Sequence, residues 1–82
     1  MSEYLSIENA AYIGGYKLLL TFNDAKEVVV DFGQFILNSV HPDIKKYWNL
    51  DLFKSYTLRE GDLEWNDYEL AFPIYDLYQG EV

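Results

Sequence analysis

The chain has 82 residues, half of them hydrophobic and 18% aromatic, and its 14 acidic and 6 basic residues give a net charge of −8. This length predicts a single domain over residues 1–82, with a thin core that aromatic side chains and self-association would help to stabilise. The charge disfavours binding to nucleic acid, and no apolar run approaches the roughly 20 residues of a membrane span. The absence of cysteine excludes disulfides and thiolate metal sites. The chain also has no signal peptide, and both features predict a cytoplasmic protein.

The first half of the chain predicts an antiparallel hairpin preceded by one short strand. Residues 4–7, beginning at Tyr4, predict the first strand, and residues 8–11 predict a connector. Residues 16–22 alternate in a pattern typical of a strand, and residues 27–32 contain three consecutive valines, which favour a strand over a helix. The polar turn between these two segments predicts that they pair as a hairpin.

The middle of the chain changes to helical spacing. Apolar residues recur at this spacing from Phe32 to Val40, and the sequence His41-Pro42 predicts the end of the helix, because a residue before proline avoids the α region. Residues 43–54 predict one or two short helical segments. A second hairpin is predicted beyond them, with strands at 56–59 and 62–65 joined by a tight turn at Glu60-Gly61.

The C-terminal segment carries the residues that we expect to organise the core and to contact a partner. Leu63 and Trp65 share one face of the last strand, so Trp65 is predicted to be a core anchor. Apolar residues then recur at helical spacing from Ile74. Tyrosine is enriched at protein interfaces, so the segment around Tyr68, Tyr75 and Tyr78 is predicted to be the contact surface.

These elements predict an α+β fold. We expect one antiparallel sheet of about four or five strands, with one or two short helices packed on one face, because two hairpin patterns flank a helical period.

The order of these features resembles the DUF2442 family of small bacterial proteins of unknown function. The resemblance rests on the first hairpin running into Val-Asp-Phe and a helix, on Leu-x-x-Phe at 50–53, on the hairpin ending in Leu-x-Trp-Asn at 63–66, and on Leu-Tyr at 77–78. Members often have glycine where this chain has Ala25 and Asp67. The resemblance implies a small α+β domain associated with toxin–antitoxin gene pairs. The helix-turn-helix domain of some members is not expected, because 82 residues leave no room for it.

The sequence predicts no catalytic, cofactor or metal site. His41 is the one histidine, and general-base work usually needs a positioned partner within hydrogen-bond reach. His41 and Asp43 together are too few ligands for a metal. Asp62 and Glu64 share a strand face and could hold a hard cation, but such pairs more often lie on the solvent face of a half-buried sheet.

Two classes of function remain open at this stage. The first is a non-catalytic protein-interaction or regulatory module, such as an antitoxin-like partner of a small basic protein, or a homodimer. The second is a small-molecule or metal-binding domain that acts as an accessory enzyme component. We expect a protein partner and no enzymatic activity, no nucleic acid and no membrane.

Overall fold

The computed structural model describes residues 5–82 and has an α+β fold, as the sequence predicts. Two three-stranded antiparallel sheets are separated by short helices, and a C-terminal helix follows the second sheet. The elements in chain order are β1 (Ile7–Gly14), β2 (Lys17–Phe22), β3 (Glu27–Asp31), α1 (Gly33–Asn38), α2 (Pro42–Lys45), a 3-10 helix (Lys46–Trp48), α3 (Leu50–Phe53), β4 (Thr57–Arg59), β5 (Asp62–Trp65), β6 (Leu70–Ala71) and α4 (Ile74–Gln79). Within the described residues, no helix is long and apolar enough to cross a membrane.

The first sheet has the strand order β1-β2-β3 and contains the predicted hairpin of β2 and β3. Leu18 lies opposite Val30, and both side chains are buried on the core face. The connector predicted at residues 8–11 is wrong, because this segment lies inside β1 and pairs with β2. Its weak strand propensity is overridden by pairing with a strongly apolar neighbour, which often decides strand formation. The prediction at Tyr4 lies outside the described residues.

The single sheet of four or five strands that the sequence predicts is corrected to two sheets. The second sheet has the order β4-β5-β6 and touches the first near the turn between β4 and β5, where the amide of Ile7 donates to the carbonyl of Gly61 at 2.9 Å. At Gly61 a Cβ atom would lie 2.6 Å from the Cβ of Ser6, so glycine permits this approach. The contact does not extend into a ladder, because β4 is only three residues long.

The helical region between the sheets is shorter and more divided than predicted. Helix α1 ends at Asn38, before the predicted stop at His41-Pro42, because Ser39 is already extended with ψ 140°. The region predicted to hold one or two helical segments holds three, and the side chain of Asn49 caps α3 by accepting from the amide of Asp51 at 2.9 Å. Strand β6 was not predicted, whereas the helical spacing from Ile74 corresponds to α4.

Trp65 lies at the centre of the core and has no exposed surface. Its Nε1 donates to the buried carbonyl of Phe53 at 2.7 Å. Five aromatic rings surround it at centroid distances of 5.4 to 6.5 Å, namely those of Phe32, Tyr47, Phe53, Tyr56 and Phe72. Through one side chain of β5, these contacts join the residue before α1, the 3-10 helix, α3 and the residues that flank β4 and β6.

Candidate functional site

The three tyrosines of the predicted contact surface have different surroundings. Tyr75 is 65% exposed and Tyr68 is 45% exposed. Tyr78 is engaged within the chain, because its hydroxyl donates to Asp24 at 2.6 Å and the ammonium of Lys26 lies 4.0 Å from the centre of its ring. This hydrogen bond lowers the pKa of Asp24 and raises the pKa of Tyr78. Tyr68 and Tyr75 therefore present aromatic surface to solvent, whereas Tyr78 ties α4 to the hairpin of β2 and β3.

His41 is exposed immediately before α2, at the rim of a mostly apolar cavity of about 450 Å³ that Phe35, Val40 and Ile44 also line. Its backbone amide donates to the hydroxyl of Ser39 at 3.2 Å. In the described part of the chain, no group of three His, Asp or Glu side chains is arranged to hold a metal ion.

The side chain of Glu64 is buried, and this corrects the expected solvent-facing role. Glu64 and Asp62 point to the same face of β5, but Asp62 is exposed and Glu64 is only 1% exposed. Arg59 covers the carboxylate of Glu64, with its Nε 3.7 Å from Oε2. The backbone amide of Tyr68 approaches Oε1 at 3.4 Å. On the face of β5 opposite Trp65, Arg59 and the backbone of Tyr68 therefore cover the side chain of Glu64.

A cavity of about 360 Å³ lies beside this carboxylate, and we call it the Glu64 cavity. Its polar lining includes the charged groups of Lys46, Arg59, Glu64 and Asp67 and the hydroxyl residue Thr57. The volume falls at the lower end of the range for small-ligand pockets, about 300–1,000 Å³.

On one side of the cavity, Glu69 forms an ion pair with Lys46. Its Oε1 contacts the ammonium of Lys46 at 2.5 Å, accepts from the hydroxyl of Tyr47 at 2.8 Å and accepts from the amide of Asn66 at 3.1 Å. These three bonds, Lys46 first, lower the pKa of Glu69 to about 2. Burial and the bond to Glu69 raise the pKa of the Tyr47 phenol.

On the other side of the cavity, Arg59 lies close to the carboxylates of Asp67 and Glu64. Its guanidinium contacts Asp67 Oδ1 at 2.6 Å and lies 5.5 Å from the centre of the Tyr68 ring. The hydrogen bond to Asp67 raises the pKa of Arg59. Across the described residues, no donor forms a hydrogen bond with Oε2 of Glu64, because the 3.7 Å contact with Arg59 is too long for one.

The turn that joins β5 to β6 lies against this network and is strained. Three consecutive residues, Asn66, Asp67 and Tyr68, have positive φ angles of 51°, 56° and 66°. The left-handed conformation costs about 1–2 kcal/mol for most non-glycine residues and less for Asn and Asp, so the strain falls mainly on Tyr68. All three bond or pack with Glu69, Arg59 or Glu64, so part of the network serves to hold the turn.

No protein-family model, curated protein or solved structure matches the chain. Sequence reasoning missed the cavity, because it treated Glu64 as solvated and gave Lys46 and Glu69 no common location. The alternation of Asp62 and Glu64 indicated that they share a strand face, but nothing in the sequence pattern indicated that Arg59 would cover Glu64.

Proposed function

We propose that this domain is a non-catalytic interaction module that binds a basic protein through its acidic surface. The observation that carries the proposal is that most of the acidic side chains are exposed and form no ion pair with a described side chain. All 14 acidic residues except Glu3 lie in the described part of the chain, and three of them, Glu64, Asp67 and Glu69, form ion pairs with described basic side chains. The other ten are exposed and form no ion pair with a described side chain.

The basic side chains do little to offset this negative field. There are six basic residues against 14 acidic ones, and two of the six, Lys46 and Arg59, are already paired with carboxylates. Exposed like charges of this kind steer an oppositely charged partner toward the surface and raise its association rate. The exposed rings of Tyr68 and Tyr75 supply the apolar contact area that charge alone does not provide.

Membership of the DUF2442 family is part of this proposal. The two positions at which members often have glycine, Ala25 and Asp67, have φ angles of 73° and 56° in this chain. Glycine adopts this left-handed region at little cost, so a family that shares these turns would favour it there. The chain departs from the family in residue type at both turns, but its backbone there has the left-handed conformation that glycine favours.

The test is capture of partners from a native lysate at low salt, followed by reconstitution with the purified candidate. We expect a basic protein whose association rate falls as ionic strength rises, because salt screens exposed charges. Tyr75→Ala should weaken the reconstituted complex and leave the melting temperature unchanged. Val29→Ala is the matched control, because Val29 is also exposed, at 52%, but lies on the first sheet. Reconstituted partners that are acidic, or binding that is indifferent to salt, would contradict the proposal.

A further inference from the structure

We infer that the Glu64 cavity is a binding site for an alkylguanidinium group, with Oε2 of Glu64 as its main acceptor. An arginine side chain of the basic partner and free arginine present the same group. The first of these sources rests on the proposed function, whereas the site itself does not.

The buried carboxylate of Glu64 lacks a hydrogen bond from the described residues at one of its two oxygens. Glu64 is 1% exposed, and no described residue donates a hydrogen bond to its Oε2, although the residue lines a cavity. Arg59 places a positive charge 3.7 Å from Oε2 but donates no hydrogen bond to it. A buried charge is costly unless it is both paired and hydrogen-bonded, so the arrangement favours a cationic ligand that donates to Oε2.

The ion-pair network around the Glu64 cavity has an excess of negative charge. The network contains three carboxylates, those of Glu64, Asp67 and Glu69, and two cations, Lys46 and Arg59. One additional positive charge neutralises it. An anion would meet the buried carboxylate and would find both cations already bound by Glu69 and Asp67.

The groups at the rim of the cavity favour guanidinium over ammonium. Arg59 already places a guanidinium at the rim, where it contacts Asp67, approaches Glu64 and lies near the ring of Tyr68. A planar guanidinium can donate to two carboxylates and stack on an aromatic face, and a compact ammonium cannot do so in the same way. The carboxylates and the tyrosine ring at the rim are therefore suited to contact a guanidinium group. Arg59 itself lies too far from Oε2 to donate a hydrogen bond to it.

The two oxygens of Glu64 have separate roles, which allows a structural role to be distinguished from a binding role. Oε1 faces the amide of Tyr68 and helps to hold the strained turn, whereas Oε2 faces Arg59. Glu64→Gln keeps an oxygen acceptor for the Tyr68 amide and removes the charge. This variant is expected to fold and to lose the ligand.

The experiment is a titration of the full chain with N-methylguanidinium, methylammonium and inorganic phosphate, followed by amide chemical shifts in NMR. We expect N-methylguanidinium to shift the amides of Glu64 and of residues 66–68 more than either other probe. Glu64→Gln should weaken this binding roughly tenfold or more, because a charged acceptor becomes neutral. Asp62→Asn is the matched control, since it removes one charge from an exposed site on the same strand and should leave binding unchanged.

Arg59→Ala gives a result of opposite sign. Its own guanidinium competes for Glu64, so the variant should bind N-methylguanidinium more tightly than the parent and gain melting temperature when the probe is added. The double variant with Glu64→Gln should lose this gain. Phosphate binding in place of the cation would overturn the inference. The absence of shifts in both the parent and Arg59→Ala would also overturn it, because Oε2 would then accept no guanidinium even after the competing Arg59 side chain is removed.

The source of the group is decided by comparing free arginine with a short arginine peptide blocked at both ends. Stronger binding of the peptide supports a partner side chain, and stronger binding of free arginine supports a small-molecule ligand. If N-methylguanidinium binds and no basic protein does, the site stands and the proposed function fails. If a basic protein binds equally well to the parent and to Glu64→Gln, and N-methylguanidinium does not bind, the inference fails and the proposed function stands.

Discussion

The core should be far more sensitive to the loss of one tryptophan than to the loss of the other. Trp65 is fully buried, and its Nε1 is bonded to the carbonyl of Phe53 at 2.7 Å. Trp48 is 46% exposed and stacks on Tyr16 at a centroid distance of 4.2 Å. Replacing each by phenylalanine makes the same chemical change in two environments, so the difference between the two variants isolates the effect of burial.

The expected cost of Trp65→Phe has two parts. The buried carbonyl of Phe53 loses its donor, which costs about 1–3 kcal/mol when an acceptor is left without a partner. The smaller ring also leaves a void among five aromatic neighbours, so the whole loss should be about 2–4 kcal/mol, just below the roughly 3–5 kcal/mol of Trp65→Ala. Such a loss is a large share of the roughly 5–15 kcal/mol that stabilises a typical native protein.

Trp48→Phe should cost less than about 1 kcal/mol, because exposed substitutions usually have small effects. Phenylalanine can keep the stack on Tyr16, and the hydroxyl of Tyr16 donates to the backbone oxygen of residue 48, which the substitution leaves in place. Urea unfolding followed by circular dichroism measures both variants without relying on tryptophan emission. Equal losses for the two variants would refute the assignment of Trp65 as the core anchor.

Two further predictions concern the turns around the sheets. Ala25→Gly should raise the free energy of unfolding by about 0.5–1 kcal/mol, because Ala25 has φ 73° and glycine adopts this region at little cost. Ala11→Gly, inside β1, is the control and should lower the free energy of unfolding. Thermal melting measures both variants. Glu69 has its pKa lowered from 4.5 to about 2, mainly by Lys46, so its contribution to stability is complete above pH 4.5 and is lost as the pH falls toward 2. Glu69→Gln should therefore flatten the fall in stability over that interval, and an unchanged acid limb in urea unfolding would count against the bond to Lys46.

The sequence predicted the elements in which local patterns and packing agree. Three consecutive valines indicated β3, and the hairpin that joins it to β2 follows from the polar turn near Ala25. Trp65 was predicted to be buried because it shares one face of a strand with Leu63. These signals are local, so they do not depend on which distant segment covers each face.

The errors arose where a distant segment decides the outcome. Residues 8–11 have weak strand propensity, and they form part of β1 only because β2 lies beside them. The second sheet stays separate from the first because β4 is short and meets β1 mainly near Gly61.

Glu64 shows most clearly why the candidate site was beyond local reasoning. Alternation along β5 assigns its side chain to the face opposite Trp65, and a half-buried sheet usually exposes that face. In this fold the strained turn returns the chain over β5, and the Tyr68 amide and the Arg59 guanidinium meet above the carboxylate. Burial of the charge therefore depends on both the turn and Arg59, and the turn is held in part by the same carboxylate. A change at Glu64 should consequently affect the conformation of residues 66–68 as well as any ligand, and for this reason the glutamine variant, which keeps the oxygen facing Tyr68, is the informative substitution.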